Sequence, residues 1–88
     1  MKIEHQNQIV MRLKRAQGHL TKVIAMLEQE NDCIAVTQQL YAVESALTNA
    51  KKLLVHSHID HCLVKSTENS SPQVQSLLDE FRAISKYL

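Results

Sequence analysis

The chain has 88 residues, a formal net charge of +1 and 44% hydrophobic residues. This length allows one domain with a modest core, so association with further chains is an expected source of stability. One Gly, one Pro, one Phe, two Tyr and no Trp disfavour a fold of strands and turns and favour an all-α fold. The near-neutral charge gives no general attraction to nucleic acid, which leaves only a local basic patch for such a contact.

Targeting signals are not found in the sequence. No apolar run approaches the ~18 residues of a membrane span, and the N-terminus has no hydrophobic signal-peptide segment. We therefore expect a cytoplasmic protein with no membrane partner. In that reducing compartment Cys33 and Cys62 are expected to be metal ligands or redox groups rather than a structural disulfide.

The first predicted helix covers roughly residues 4–29, because apolar residues recur there at steps of three and four. Gly18 lies mid-helix, where Gly costs about 1 kcal/mol relative to Ala, and this predicts a close backbone approach. The helix carries a basic cluster of Arg12, Lys14 and Arg15. Such a cluster is more often a solvated helix face than a DNA contact. Lys51 and Lys52 on the second helix could extend it. The predicted inward face is Ile9, Leu13, Ala16, Leu20, Val23, Ile24 and Leu27.

The second predicted helix is the long central one, over roughly residues 32–64. Asn31 or Asp32 can cap it, which places Cys33 in its first turn. Continued at the same spacing, its apolar stripe reaches His58 and Cys62. The stripe itself is Val36, Leu40, Val43, Leu47, Ala50 and Leu54.

The two cysteines are too far apart on this helix to share a site within one chain. At about 1.5 Å of rise per residue, Cys33 and Cys62 are separated by roughly 44 Å. A metal ion with bonds near 2.0–2.3 Å cannot span that distance. Two copies of the helix packed antiparallel would bring Cys33 of one chain to Cys62 of the partner subunit, and a two-fold axis would repeat the site.

A polar linker is predicted at residues 65–70, and a short third helix at roughly residues 71–87. Ser71 can cap this helix and Pro72 suits its first position. Its apolar face would be Val74, Leu77, Leu78, Phe81 and Ile84. Residues 1–88 are thus expected to form one all-helical domain.

The candidate ligands near the end of the second helix are His58 and Cys62, four residues apart and so on one face. Two Cys and one His suit Cu(I), and could hold Zn(II) if a fourth ligand were found. His61 lies about 60° from the line of His58 and is a weaker candidate, as is His56. A single Cys or His on such a stripe is more often structural, but the combination favours metal binding or redox chemistry.

Several segments together resemble a known family. They are residues 12–20 (RLKRAQGHL), 32–36 (DCIAV), 38–43 (QQLYAV), 46–47 (AL), 53–54 (LL) and 58–62 (HIDHC). In this combination the chain resembles the CsoR/RcnR-like repressors, which are small all-helical bacterial sensors of metals and stress. Cys33, His58 and Cys62 match the ligand pattern of the copper-sensing type.

Other sensor types of this family match less well. The nickel/cobalt type has an N-terminal His and a His as last ligand, where this chain has Met1 and Cys62. The formaldehyde type has an N-terminal Pro and lacks the last Cys. The persulfide type keeps both Cys without the His, so a persulfide or electrophile sensor with no metal remains the closest alternative. Zn and Ni remain alternative ions.

The resemblance implies an antiparallel four-helix-bundle dimer, assembled into a dimer of dimers. It also implies a transcriptional repressor that binds double-stranded operator DNA without metal. Binding of Cu(I) to Cys33 of one chain with His58 and Cys62 of the partner subunit would then release the DNA. The residues expected to contact phosphates are Arg12, Lys14, Arg15, Lys51 and Lys52.

The chain departs from the copper-sensor pattern at two places. Copper sensors often have a Tyr before the first Cys, which supports the bound His together with a Glu of the third helix. Here Asp32 replaces that Tyr, Glu80 is the nearest acidic candidate, and His61 is a second possible supporting residue. An Arg common in the middle of the second helix is replaced near Thr48.

Functions of two other classes could use the same residues. A cytosolic metal-buffering module would bind copper equally well without binding DNA. An enzyme would use Cys33 as nucleophile and His58 in trans as base. The sequence shows no loop suited to stabilising an oxyanion, so an enzyme is not expected.

Overall fold

The computed structural model describes residues 5–68 and 71–88, with side chains for residues 5–61 and 74–88. It contains three α-helices, which are α1 (Gln6–Glu28), α2 (Cys33–Glu68) and α3 (Ser71–Ser85). Within these ranges no strand occurs. The predicted all-α fold, with three helices and a long central one, is confirmed.

The helix ends differ from the predicted ones mainly in α2. This helix continues to Glu68, so a linker starting at Lys65 was wrong. Residues 65–68 contain neither Gly nor Pro, and Lys and Glu are good helix formers. α3 begins at Ser71 as predicted and ends at Ser85, two residues early. The predicted start of α1 at residue 4 and the capping side chain of Ser71 lie outside the described residues.

The turn between α1 and α2 satisfies the free backbone groups at both helix ends. The backbone N–H of Glu30 donates to the Leu27 carbonyl at 3.1 Å, and that of Asn31 to the Met26 carbonyl at 3.0 Å. This is the Schellman pattern, which requires a left-handed residue, and Glu30 has φ 57°. Asp32 then caps α2, because its Oδ2 accepts from the Ala35 N–H at 3.1 Å, which confirms one of the two predicted caps.

The first compact unit, Asn7–Lys51, pairs α1 with the first half of α2. Each helix contributes a buried line at seven-residue steps, as in packed helix pairs. Val23, Val36 and Val43 form its core cluster, with Met26 packed against it. His19 Nε2 also lies 2.7 Å from Gln39 Oε1. The buried lines are Ile9, Ala16 and Val23 on α1, and Val36, Val43 and Ala50 on α2.

Several larger residues predicted to face inward are exposed in the single chain. Within this unit each helix has one neighbour, which covers one line of side chains and leaves the adjacent line open. We call the six uncovered positions the open apolar line, and their exposed fractions range from 39% to 60%. They are Leu13, Leu20, Ile24, Leu27, Leu40 and Leu47.

Gly18 does not mark a close approach inside the chain. A Cβ built at Gly18 would meet no heavy atom within 4 Å among the residues described. The predicted close crossing is therefore not made by α1 with any other described residue of the chain.

The second compact unit is built by the C-terminal part of α2 and by α3, from Lys52 to Leu88. Val55, Ser57 and His58 are its buried residues among those with described side chains. Two of these three are polar. In the described parts of the chain, no helix is long and apolar enough to cross a membrane.

Candidate metal centre

Cys33 is the first residue of α2 and belongs to the first compact unit. Its position follows from the Asp32 cap, and its carbonyl accepts a hydrogen bond from Thr37 Oγ1 at 2.8 Å. The thiol is free and exposed. The first turn of α2 therefore presents an unbonded sulfur at the surface.

His58 is buried in the second compact unit and is only 6% exposed. Its Nε2 lies 3.7 Å from Oε2 of Glu80 on α3. Its Nδ1 is buried and has no hydrogen-bond partner among the described residues. A buried polar atom left without a partner costs about 1–3 kcal/mol, so this nitrogen destabilises the fold unless something binds it.

The two ring nitrogens of His58 suit a metal ligand supported by a carboxylate. A neutral imidazole that carries its proton on Nε2 directs this proton toward Glu80 and leaves a lone pair on Nδ1. Ligating histidines commonly donate their other N–H to a carboxylate, which fixes the tautomer. At 3.7 Å the contact is longer than a hydrogen bond, so it acts as an electrostatic attraction. The residues present therefore fit a metal ion.

His61 and Cys62 lie one helical turn after His58. His61 is half-buried, and its ring centre is 6.5 Å from that of His58, with 38° between the ring planes. Cys62 is within α2, and its side chain lies outside the described part. Among the described residues of the single chain, no three His, Cys, Asp or Glu side chains come together as a metal site.

The predicted DNA-contacting residues are all exposed. Of the five, only Lys52 lies in the second compact unit. The salt bridges found among the described residues are His58–Glu80 and Arg82–Asp79, and neither involves a predicted DNA contact. The four predicted contacts in the first unit are Arg12, Lys14, Arg15 and Lys51.

An open groove in the first unit was not predicted from the sequence. It has a volume of about 410 Å³ and an apolar lining that includes Leu13, Leu20, Val43 and Leu47. Leu13, Leu20 and Leu47 each lie four residues after a buried position of their own helix. The sequence signal was present, but periodicity alone does not show which apolar line a helix covers.

The chain is similar to known metal-responsive regulators. The copper-sensing transcriptional repressor CsoR of Mycobacterium ulcerans is 45% identical over 51 residues, which cover 58% of this chain and 44% of the relative. This chain therefore spans less than half of that relative's length. CsoR of Bacillus subtilis is 28% identical over 85 residues, which cover 94% of this chain and 84% of the relative.

One solved structure has the same fold. The nickel-responsive transcriptional regulator InrS matches with a TM-score of 0.82 and 24% identity, over 99% of this chain and 96% of that one. A family model described as a metal-sensitive transcriptional repressor matches residues 5–86. The resemblance found in the sequence is thereby confirmed, and the family comprises transcriptional repressors rather than enzymes. The chain belongs to the family of metal-sensitive transcriptional repressors.

Proposed function

We propose that this protein is a cytoplasmic repressor that binds operator DNA without metal and leaves it when Cu(I) binds between two chains. The observation that carries the proposal is the buried Nδ1 of His58, which has no partner among the described residues while Nε2 faces Glu80. Relatives named as copper-sensing repressors support the choice of metal.

The ligand set combines Cys33 of one chain with His58 and Cys62 of the partner subunit. Two thiolates and one imidazole form a soft set, and soft ligands favour Cu(I). Both cysteines belong to the unbroken helix α2, and the rise of an ideal helix over the residues between them is roughly 44 Å. A shared site therefore requires a second chain.

The open apolar line is independent evidence for binding of a second chain. Leu13 and Leu20 on α1, with Leu40 and Leu47 on α2, are large side chains that the first unit leaves exposed. These side chains are already more than half buried, so covering the rest of each one contributes roughly 1 kcal/mol. An antiparallel partner would cover them as a four-helix bundle, and pairing of two such dimers gives the proposed tetramer.

The basic side chains provide the DNA contact. Phosphate contacts neutralise DNA charge and release counterions, so this binding should weaken steeply with salt. The proposed contacts are Arg12, Lys14, Arg15, Lys51 and Lys52, all exposed.

Release of DNA follows from coupling between the two sites. Glu80 on α3 lies beside the His58 ring. Metal binding would therefore link α2 and α3 of one chain to the start of α2 of the other. The cysteines lose their protons on binding, and the linked helix ends then have less freedom. If the linked geometry fits DNA less well, metal and DNA weaken each other by the same factor.

The test measures DNA binding by fluorescence anisotropy on a duplex selected from a random library by the metal-free protein. Anaerobic Cu(I) should release the duplex from the wild type and leave it bound to Cys33→Ala. X-ray absorption should find two sulfurs and one nitrogen around copper. Unchanged release in the variant would refute the ligand assignment.

The same experiment separates the alternatives. A metal buffer would bind Cu(I) with the same ligands but would select no duplex. A persulfide sensor would release DNA after treatment with a low-molecular-weight persulfide, whose outer sulfur is transferred to a cysteine thiolate while the rest of the reagent leaves as a thiolate. The cysteines would gain mass, and release would be equal in His58→Ala.

A further inference from the structure

His58, His61 and Cys62 occupy positions i, i+3 and i+4 of one helix. Residues three and four apart on a helix are neighbours, with about 5–6 Å between their Cβ atoms. The His58 and His61 rings lie within one turn of each other, with centres 6.5 Å apart. The proposed ligands His58 and Cys62 therefore have a third donor beside them.

The two rings are close to the separation that one metal ion requires. Imidazoles bound to one tetrahedral ion through bonds of about 2.0–2.1 Å have ring centres roughly 5 Å apart. The observed 6.5 Å exceeds this by an amount that a side-chain rotation covers. His61 is half-buried, so its ring has room to turn, whereas His58 is held beside Glu80.

A second imidazole would change which ions the site accepts. Two thiolates and one imidazole satisfy a low-coordinate Cu(I) ion. Structural zinc sites are almost always four-coordinate and tetrahedral, and Cys₂His₂ is one of their common ligand sets. The difference between the two ligand sets is one nitrogen donor.

We propose that His61 is this donor. Resting on the function proposed above, Cys33 of one chain with His58, His61 and Cys62 of the partner subunit holds a four-coordinate divalent ion, Zn(II), at the place where three of these residues hold Cu(I). The supporting observation is that His58 is more than nine-tenths buried and that its Nδ1 has no hydrogen-bond partner in the part of the chain that the structure describes. The same site thus takes two ions through two coordination numbers.

The experiment uses the full-length protein without DNA. Co(II) serves as the spectroscopic probe, because tetrahedral and octahedral Co(II) differ strongly in visible absorption, and Zn(II) affinity is measured by displacement of Co(II). Cu(I) affinity is measured separately under anaerobic conditions. The variants are His61→Ala and, as matched control, His56→Ala, which removes an exposed histidine from the same helix.

We expect tetrahedral Co(II) in the wild type. In His61→Ala, Zn(II) affinity should fall by more than about 100-fold, since loss of an outer supporting residue alone costs ~10–100-fold. Cu(I) affinity in this variant should be unchanged. His56→Ala should match the wild type for both ions, and circular dichroism should show equal helicity in all three proteins.

Three results would overturn the inference. They are octahedral Co(II) in the wild type, unchanged Zn(II) affinity in His61→Ala, and an equal loss of Zn(II) and Cu(I) affinity in that variant, which would make His61 a positioning residue for His58. Failure of the proposed function is separate, because it would appear as Cu(I)-driven DNA release that does not require Cys33.

Discussion

The two compact units use the same helix for different purposes. In the first unit, α2 buries Val36, Val43 and Ala50 at seven-residue steps. The next step in the second unit is Ser57, and His58 beside it is also buried. Apolar burial stabilises the first unit by removing surface from water, whereas a buried ring nitrogen of the second unit finds no partner among the described residues, which costs stability. The comparison indicates that burial is stabilising in the first unit and partly destabilising in the second.

The largest expected effect is a loss of stability caused by a substitution in the core of the first unit. Val43→Asp places a charge at a position that is 2% exposed, where an uncompensated charge costs about 3–5 kcal/mol. Loss of helicity in circular dichroism and a lower midpoint in urea unfolding are expected. The control Thr48→Asp, at an exposed position of the same helix, should unfold like the wild type. Equal stability of the two variants would contradict the assignment of the core.

His58→Leu tests the second unit in the opposite direction. It removes the Nδ1 that no described residue bonds and fills the site with an apolar side chain, while Glu80, at 50% exposure, stays solvated. The metal-free protein should gain about 1 kcal/mol in urea unfolding, and Cu(I) affinity should fall by more than about 100-fold. A variant that lost stability and kept its copper affinity would show that His58 stabilises the second unit and does not bind the metal.

Glu80→Gln sharpens the role of α3. The amide keeps the size of the side chain but removes the negative charge 3.7 Å from His58 Nε2. Copper affinity should fall by about 10–100-fold, the usual effect of losing a residue that supports a ligand. Asp79→Asn is the matched control, because Asp79 pairs with Arg82 and Gln75 instead. An equal loss in both variants would point to general electrostatics rather than to the contact with His58.

The smallest effect is at the turn of the first unit. Glu30 adopts φ 57°, a conformation that costs a non-Gly residue about 1–2 kcal/mol. Gly removes this cost but gives the unfolded chain more conformational freedom, which opposes the gain. The net effect of Glu30→Gly should be a stabilisation of about 0.5–1 kcal/mol. Gln29→Gly, at the neighbouring position, should destabilise it in the same urea titration. Metal affinity should be the same in both.

Much of the fold could be predicted because it depends on local signals. Periodicity located all three helices, and Asp32 marked the start of α2. The end of α2 could not be predicted, since polar residues without Gly or Pro are compatible with both linker and helix. Which apolar line is buried was also undecided, because Ala16 and Leu20 have the same periodicity and only packing distinguishes them.

The residues of the candidate site are a prediction from the sequence, whereas their contacts could not be predicted from it. Spacing singled out Cys33, His58 and Cys62. The contact between His58 and Glu80 depends on how α3 packs on α2, and no periodicity within one helix determines it. That the Nδ1 of His58 has no hydrogen-bond partner among the described residues likewise follows from three-dimensional burial rather than from sequence.

The first turn of α2 has a consequence for binding at Cys33. The Asp32 carboxylate is engaged with the Ala35 N–H, and Thr37 is bonded to the Cys33 carbonyl. The backbone that bears the thiol is therefore ordered before any ligand arrives. A preorganised ligand loses less conformational entropy on binding, so the exposed sulfur can join a site on a neighbouring molecule without first folding the segment that carries it.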